Sequence, residues 1–352
     1  MRLRQPGVIE ALAAAGLFGA ATPLASRLVG ATSPQVLAGL LYLGSGVVLW
    51  LSMWWWPARR EAPLTRRELP ALSGAIFFGG GLGPVLLVIG LRTTPAASAS
   101  LLLNLEVVFT ALIAWLAFHE GFSPRVGVGL GLILGGGVLV SWQPGHVGFT
   151  WGAFAIAGAC ACWAFDNNLT QLVSAKDPRQ IATLKGVVAG STNLAIGLLL
   201  GGALPSIGTT SGAIAIGVFG YGISLMLFVS ALRALGAART GAFFAVAPFA
   251  GVVVAIVVLG DAIPSLLIPA SALMALGVWV YISEHHEHRH AHEPLTHTHM
   301  HTHDDQHHEH EHPPGTDLGA PHSHEHSHAA LVHQHAHRPD IHHRHRHRTN
   351  TS

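Results

Sequence analysis

The sequence predicts an all-α membrane protein of ten transmembrane helices, built as a five-plus-five inverted repeat and followed by a disordered tail. Three observations carry this expectation. Only 11% of the 352 residues are Asp, Glu, Lys or Arg, while 50% are hydrophobic. The apolar residues fall in successive stretches of about 20, the length a helix needs to cross ~30 Å of hydrocarbon. Finally, 24 of the 26 histidines crowd into residues 285–352.

Taken in order, the stretches are 8–29, 34–56, 71–91, 95–118, 124–141, 151–173, 180–200, 212–233, 238–259 and 262–283. The first follows Met1-Arg2-Leu3-Arg4 as a secretion signal would. Its apolar run is long, holds Glu10 and lacks a small-x-small cleavage site before Arg27, so it reads as a retained helix. Trp50, Trp54, Trp55 and Trp56 close the second as an interfacial aromatic belt. Cys160 and Cys162, the only cysteines, sit inside the sixth and imply no disulfide framework. Two residues apart on a helix, they diverge by about 200° and do not chelate one ion; they read as small packing residues.

Lys and Arg fall at alternate loops: Arg2 and Arg4, then Arg59, Arg60, Arg66 and Arg67, then Arg125, Lys176 and Arg179, then Arg233 and Arg239. The opposite side has Arg27 and Arg92 at helix ends, and its loops 143–150 and 201–212 hold neither Lys nor Arg. Cytoplasmic loops carry the positive excess. Both termini, the histidine tail included, are therefore expected in the cytoplasm, with the chain spanning the cytoplasmic (inner) membrane many times.

An offset of 141 aligns Gly79 with Gly220, Gly81 with Gly222, Leu91-Arg92 with Leu232-Arg233, Ala97 with Ala238, Glu120 with Asp261 and Gly136 with Gly277. The predicted units are a first repeat over 7–141, a second over 151–283 and a tail over 284–352. Five helices is an odd number, so the second repeat enters the membrane upside down. Inverted repeats build secondary transporters with a midplane site and alternating access. No phosphate loop of the form Gly-x-x-x-x-Gly-Lys-Ser/Thr occurs, so an ATP engine is not suggested. The expected class is a carrier rather than an enzyme, with lipid and a small-molecule substrate as partners, no nucleic acid, and a homodimer compatible with the pattern.

The segment Ala99-Ser100-Leu101-Leu102-Leu103-Asn104-Leu105-Glu106-Val107-Val108-Phe109-Thr110-Ala111-Leu112, followed by Phe118-His119-Glu120, resembles the fourth-helix signature of EamA-type members of the drug/metabolite transporter superfamily. Cys162-Trp163-Ala164, Lys185-Gly186-Val187-Val188-Ala189-Gly190 and Asn193 resemble the matching pieces of that family's second half. The resemblance covers 7–283 and implies a ten-helix carrier, usually an exporter or exchanger of small metabolites such as amino acids. One departure stands out. The family often has proline where Glu106 and Val107 lie, and Pro248 holds the equivalent place in the second half.

Glu106 is the leading site residue. It lies about 11 residues into its helix, hence ~16 Å deep. A charge there costs at least ~2.5 kcal/mol, so intramembrane carboxylates usually face a cavity or a partner. Proton coupling or cation binding is the functional reading, and a protonated packing contact the structural one. Asn104, about 200° away, points to the opposite face, so the two do not line one cavity. Asp166, Asn167 and Asn168 form a polar cluster in the sixth helix. Two readings fit it: a cytoplasmic mouth that binds an amine or cation, or the wet end of a helix leaving the bilayer near Ser174. Asn193 completes the substrate set. Lys185 reads as a cation snorkelling to the inner surface, Gly83-Pro84 as a break in the third helix, and Thr22-Pro23 as one in the first, with close packing the safer assignment for both.

The tail holds two copies of one pattern. His286, His288, His290, His292, His297, His299 and His301 recur 36 residues later as His322, His324, His326, His328, His333, His335 and His337, with His303 adding to the first copy. Imidazole is a common ligand for zinc, nickel and cobalt, so divalent ions are the expected tail partners, although no cofactor is required. With few apolar residues the tail is expected to be disordered without metal. The rival function is a divalent-metal exporter fed by this tail, passing ions to Glu106 and Asp166. Against it, no histidine falls within the apolar stretches, because His119 and His146 lie in loops.

Overall fold

In the computed structural model, described residues comprise 7–55, 64–118, 123–141, 150–174, 176–263, 265–283 and four short segments within 287–336. The chain is a helical bundle whose breaks fall where local chemistry puts them. Helix α1, Val8–Ser26, opens on Gly7, whose amide donates to Glu10 Oε2 at 2.9 Å, so Glu10 closes the first turn rather than burdening the bilayer. It runs through Pro23 without interruption. Helix α2, Pro34–Trp55, follows Ser33, and Trp50 and Trp54 on it are exposed as a belt requires. The third crossing is compound: α3, Leu69–Ala75, a wide π-helical turn over Ile76–Leu82, then α4, Gly83–Leu91, with Pro84 in its first turn. The fourth is also divided, into α5, Ala96–Leu102, and α6, Leu105–Phe118. Helix α7 spans Pro124–Ser141.

In the second half, α8, Trp151–Val173, is capped by Thr150 and α9, Pro178–Leu199, by Asp177. Helix α10, Ile207–Ile216, leads through a second π turn, Gly217–Ile223, into α11, Ser224–Phe244; α12, Ala247–Val257, and α13, Leu267–Ile282, complete the bundle. Among the described residues, seven helical segments are long and apolar enough to cross a membrane, and two shorter apolar helices lie at Ala247–Val257 and Leu267–Tyr281.

The second half departs from the expected boundary between 233 and 238, because the backbone stays helical from Ser224 to Phe244. Pro95 ends the corresponding run in the first half, and the residue before a proline is pushed out of helix; Gly236 stands at the equivalent place, and it keeps its amide hydrogen.

The internal repeat is visible in these irregularities. The π turns are 217 − 76 = 141 residues apart, and so are the breaks at Asn104 and Ala245. Helices α1 and α2 keep a different register. Asp166 lies against Gly79 as Ala21 lies against Gly220, an offset of 166 − 21 = 145. Ser33-Pro34 and Asp177-Pro178 open α2 and α9 at 178 − 34 = 144. Packing obeys the same relation. Helix α2 pairs with α9 and α7 with α13, while α1 lies over α11 and α12 just as α8 lies over α4 and α6. Each repeat thus lends its first helix to the other. Glycine permits the closest approach: a Cβ on Gly190 would sit 2.2 Å from Leu43 N, and one on Gly46 2.3 Å from Val187 N.

The described tail residues lie in four short strands. Strands β1, Glu287–His292, and β4, Leu331–Ala336, pair antiparallel, as do β2, Leu295–His301, and β3, His322–His328. Alternation of His with Thr, Ser and Ala has the period of a strand, and the two copies supply partners for each other. His286, His303 and His337 lie outside the described residues.

Candidate functional site

The polar residues singled out in the apolar helices converge, with one exception, beside the first π turn. The fourth crossing is interrupted at Leu103-Asn104 and restarts at Leu105, which places Glu106 in the first turn of α6. A helix N-terminus carries partial positive charge and favours a carboxylate there. Glu106 Oε1 accepts a hydrogen bond from Asn167 Nδ2 on α8 at 2.6 Å, and both residues are half-buried. Asn168, one residue on, donates to the Ala164 carbonyl of its own helix at 2.8 Å.

One residue before Asn167, Asp166 is 6% exposed and meets Lys185 of α9, which is 1% exposed. Lys185 Nζ lies 2.5 and 2.7 Å from the two carboxylate oxygens of Asp166 and 3.2 Å from Thr170 Oγ1, and Thr170 in turn donates to Asp166 Oδ1 at 2.8 Å. Two consequences correct the sequence reading. The cluster in α8 is not the wet end of a helix, since Asp166, Asn168 and Thr170 are all buried. Nor does Lys185 snorkel to the surface, because a carboxylate one helix away satisfies it inside the bundle. A pair in this setting is held by mutual charge and extra hydrogen bonds against a large desolvation cost.

The π turn sets the geometry of this pair. A Cβ on Gly79 would lie 1.8 Å from Asp166 Oδ2, so only glycine lets the carboxylate rest there. The Gly79 carbonyl accepts from Tyr42 OH at 2.7 Å and from Trp163 Nε1 at 2.9 Å. Asn193 Nδ2 donates to the carbonyls of Gly80 at 2.9 Å and Gly81 at 3.2 Å. Side chains from α2, α8 and α9 thus occupy three consecutive carbonyls. Sequence reasoning placed Asn193 in the substrate set but gave no part to Tyr42, and it weighed Trp163 only as a family marker. The available signal was the Gly79-Gly80-Gly81 run, which exposes carbonyls to neighbouring donors.

Asn104 is the exception. It is fully buried, turned toward α13, where its amide lies 3.6 Å from Met274 Sδ, and its Oδ1 has no hydrogen-bond partner among the described residues. Cys160 donates weakly to the Leu102 and Leu103 carbonyls at 3.7 and 3.9 Å and packs at the α5–α6 break. Among the described residues no three His, Cys, Asp or Glu side chains converge as a metal site. For the tail the structure gives backbone register only: His288 stands opposite His335, His290 opposite His333, His297 opposite His326, His299 opposite His324 and His301 opposite His322. His292 and His328 stand opposite Leu331 and Leu295.

An aromatic group lies beside the cluster. Phe18 of α1 packs edge-on against Trp163 at 5.6 Å and Tyr221 at 5.8 Å and lies 5.4 Å from Phe244; Tyr42 and Tyr221 are 5.2 Å apart.

Comparison with known proteins agrees with this architecture. The EamA-like transporter family matches twice, over residues 5–142 and 150–283. An uncharacterized transporter of Methanothermobacter thermautotrophicus is 27% identical over 301 residues, covering 78% of this chain and 85% of its own. A probable 4-amino-4-deoxy-L-arabinose-phosphoundecaprenol flippase subunit, ArnE, of Salmonella paratyphi B is 34% identical over 109 residues, 30% of this chain and 91% of its own. A protein of known crystal structure shares the fold with a TM-score of 0.60 at 20% identity, over 78% of this chain and 95% of its own.

Proposed function

Because the chain belongs to the EamA-like transporter family, we propose that it is a secondary transporter that exports or exchanges a small polar, amino-acid-like metabolite across the cytoplasmic membrane by alternating access. The observation that supports this most is the buried cluster of Glu106, Asn167, Asp166 and Lys185 beside a wide turn and a helix break. Discontinuous helices at mid-bundle are where carriers bind polar cargo. In this reading the ten crossings form two five-helix repeats of opposite orientation, and both termini face the cytoplasm.

Asp166 neutralises Lys185 while the site is empty. Glu106 accepts from the neutral amide of Asn167, so it is the group placed to exchange a proton or to accept a cargo ammonium. Protonation of Glu106 releases the cargo amine and deprotonation captures the next, which couples flux to the proton gradient. The histidine tail buffers or senses divalent metal beside this cycle. Metal export is the weaker reading. Among the described residues no three His, Cys, Asp or Glu side chains gather to hold zinc or nickel, and Asp166 is already engaged by Lys185.

The test is counterflow of labelled amino acids in proteoliposomes with an imposed pH gradient, beside elemental analysis of expressing cells. Wild type is expected to drive pH-dependent counterflow, and Glu106→Gln to lose the dependence on the gradient while keeping its fold. If Glu106→Gln instead restores cellular nickel, cobalt or zinc that the wild type depletes, and a chain stopped after Glu284 does the same, metal export replaces this reading.

A further inference from the structure

The two π turns occupy equivalent places in the repeats, yet they are held in different ways. The first is tied by Tyr42, Trp163 and Asn193 to the carbonyls of Gly79, Gly80 and Gly81. At offsets of 144 and 145 their counterparts around the second turn are Gly186, Phe18 and Leu49, and none of these has a side-chain polar atom. The second turn, Gly217–Ile223, meets its neighbours through close backbone and apolar contact instead. A Cβ on Gly217 would lie 2.0 Å from the Leu41 carbonyl, one on Gly220 2.3 Å from Ala21 Cβ, and one on Gly222 3.0 Å from Ser45 Cβ. Contacts of that kind have no fixed direction and permit sliding, whereas three directed hydrogen bonds from three helices do not.

We infer that Tyr42, Trp163 and Asn193 are positioning residues that lock the first π turn into a fixed frame for the Asp166–Lys185 pair, and that the second π turn is the hinge at which the bundle bends. The frame matters because Asp166 rests directly on Gly79. Were the first turn to move, the carboxylate would lose its seat and Lys185 its partner. The second turn has Ala21 and Leu41 where the first has Asp166 and Lys185, so its movement disturbs no charge. Alternation of access therefore costs no separation of the buried ion pair. The inference rests on the carrier reading above, but its test needs no substrate, so failure of one is distinguishable from failure of the other.

The experiment is hydrogen–deuterium exchange of the full chain in lipid nanodiscs, following peptides over 76–82 and 217–223. Wild type is expected to exchange at least about tenfold faster over 217–223, given that each hydrogen bond to the first turn contributes on the order of fivefold. Tyr42→Phe and Asn193→Leu should each raise exchange over 76–82 by about fivefold and leave 217–223 unchanged. Leu49→Asn, which places an amide at the position equivalent to Asn193, should slow exchange over 217–223 and leave 76–82 unchanged. Equal exchange at the two turns, or variants of Tyr42 and Asn193 that loosen both turns alike, would overturn the inference. Should Leu49→Asn fail to fold, the wild-type and Tyr42→Phe comparison decides it alone.

Discussion

Two regions related by the internal repeat share a backbone and differ in chemistry. Around the first π turn stand Asp166, Lys185, Asn167 and Glu106; the equivalent positions around the second are Ala21, Leu41, Thr22 and Ala247. Trp163 faces its counterpart Phe18 across the middle of the bundle at 5.6 Å. Duplication therefore preserved the irregular turn and the helix break, which depend on glycine and local backbone, and left the polar equipment on one side only. A carrier with a two-fold scaffold needs one cargo site, and a second buried ion pair would cost desolvation without adding a site.

Mutations can break this contrast in order of severity. Lys185→Met leaves Asp166 buried without its cation and should cost about 3–5 kcal/mol, seen as a fall in melting temperature in micelles. The double change Asp166→Asn with Lys185→Met should regain most of that loss; if it does not, the pair is not the source of the effect. Next, Gly79→Ala and Gly220→Ala bring a new Cβ within 1.8 Å of Asp166 Oδ2 and 2.3 Å of Ala21 Cβ. Each should lose about 1–3 kcal/mol by overpacking. At a temperature where both remain folded, Gly79→Ala is expected to abolish substrate binding, because there a charged pair shifts, whereas Gly220→Ala should slow transport and leave the Asp166–Lys185 pair in place.

The smallest effect lies outside the bundle. Glu68, ahead of α3, meets Lys176 at 3.6 Å. Burial pushes its carboxyl up, but hydrogen bonds from Thr65 and the Lys176 charge outweigh that and hold it below its usual value. A depressed carboxyl stabilises the fold above its unfolded pKa, and that contribution fades as pH falls through the folded one. Glu68→Gln should thus cost at most about 1 kcal/mol at pH 7 and nothing in strong acid, as read from melting curves at the two pH values.

Much of the fold was legible because apolar length and glycine pattern speak locally. The match of Gly79 and Gly81 with Gly220 and Gly222 gave the register of the repeat, but not the π turns that these glycines lie in. Asp166 and Thr170 were identifiable as a pair from their i, i+4 spacing. Lys185 was not, since its partner lies on another helix and a lone lysine near a helix end fits snorkelling equally well. Tyr42 was missed for the same reason: its acceptor is a backbone carbonyl 37 residues away. The 144 and 145 offsets of the first two helices were also hidden, because insertions between repeats leave no trace in glycine spacing. Strand pairing in the tail depends on one copy meeting the other, a distance that composition does not encode.

The exchange of first helices between repeats has a consequence for how the chain is made. Helix α1 leaves the ribosome well before the surfaces it covers, α11 and α12, which lie near the end of the helical bundle in chain order. Until the second repeat appears, only its smaller contacts with α4 and α5 are available to it. Helix α8 finds α4 and α6 already in place. Assembly of the second repeat is thus templated by the first, and completion of the first is postponed until the second arrives. Two halves expressed separately, divided between residues 142 and 150, should therefore mature only together.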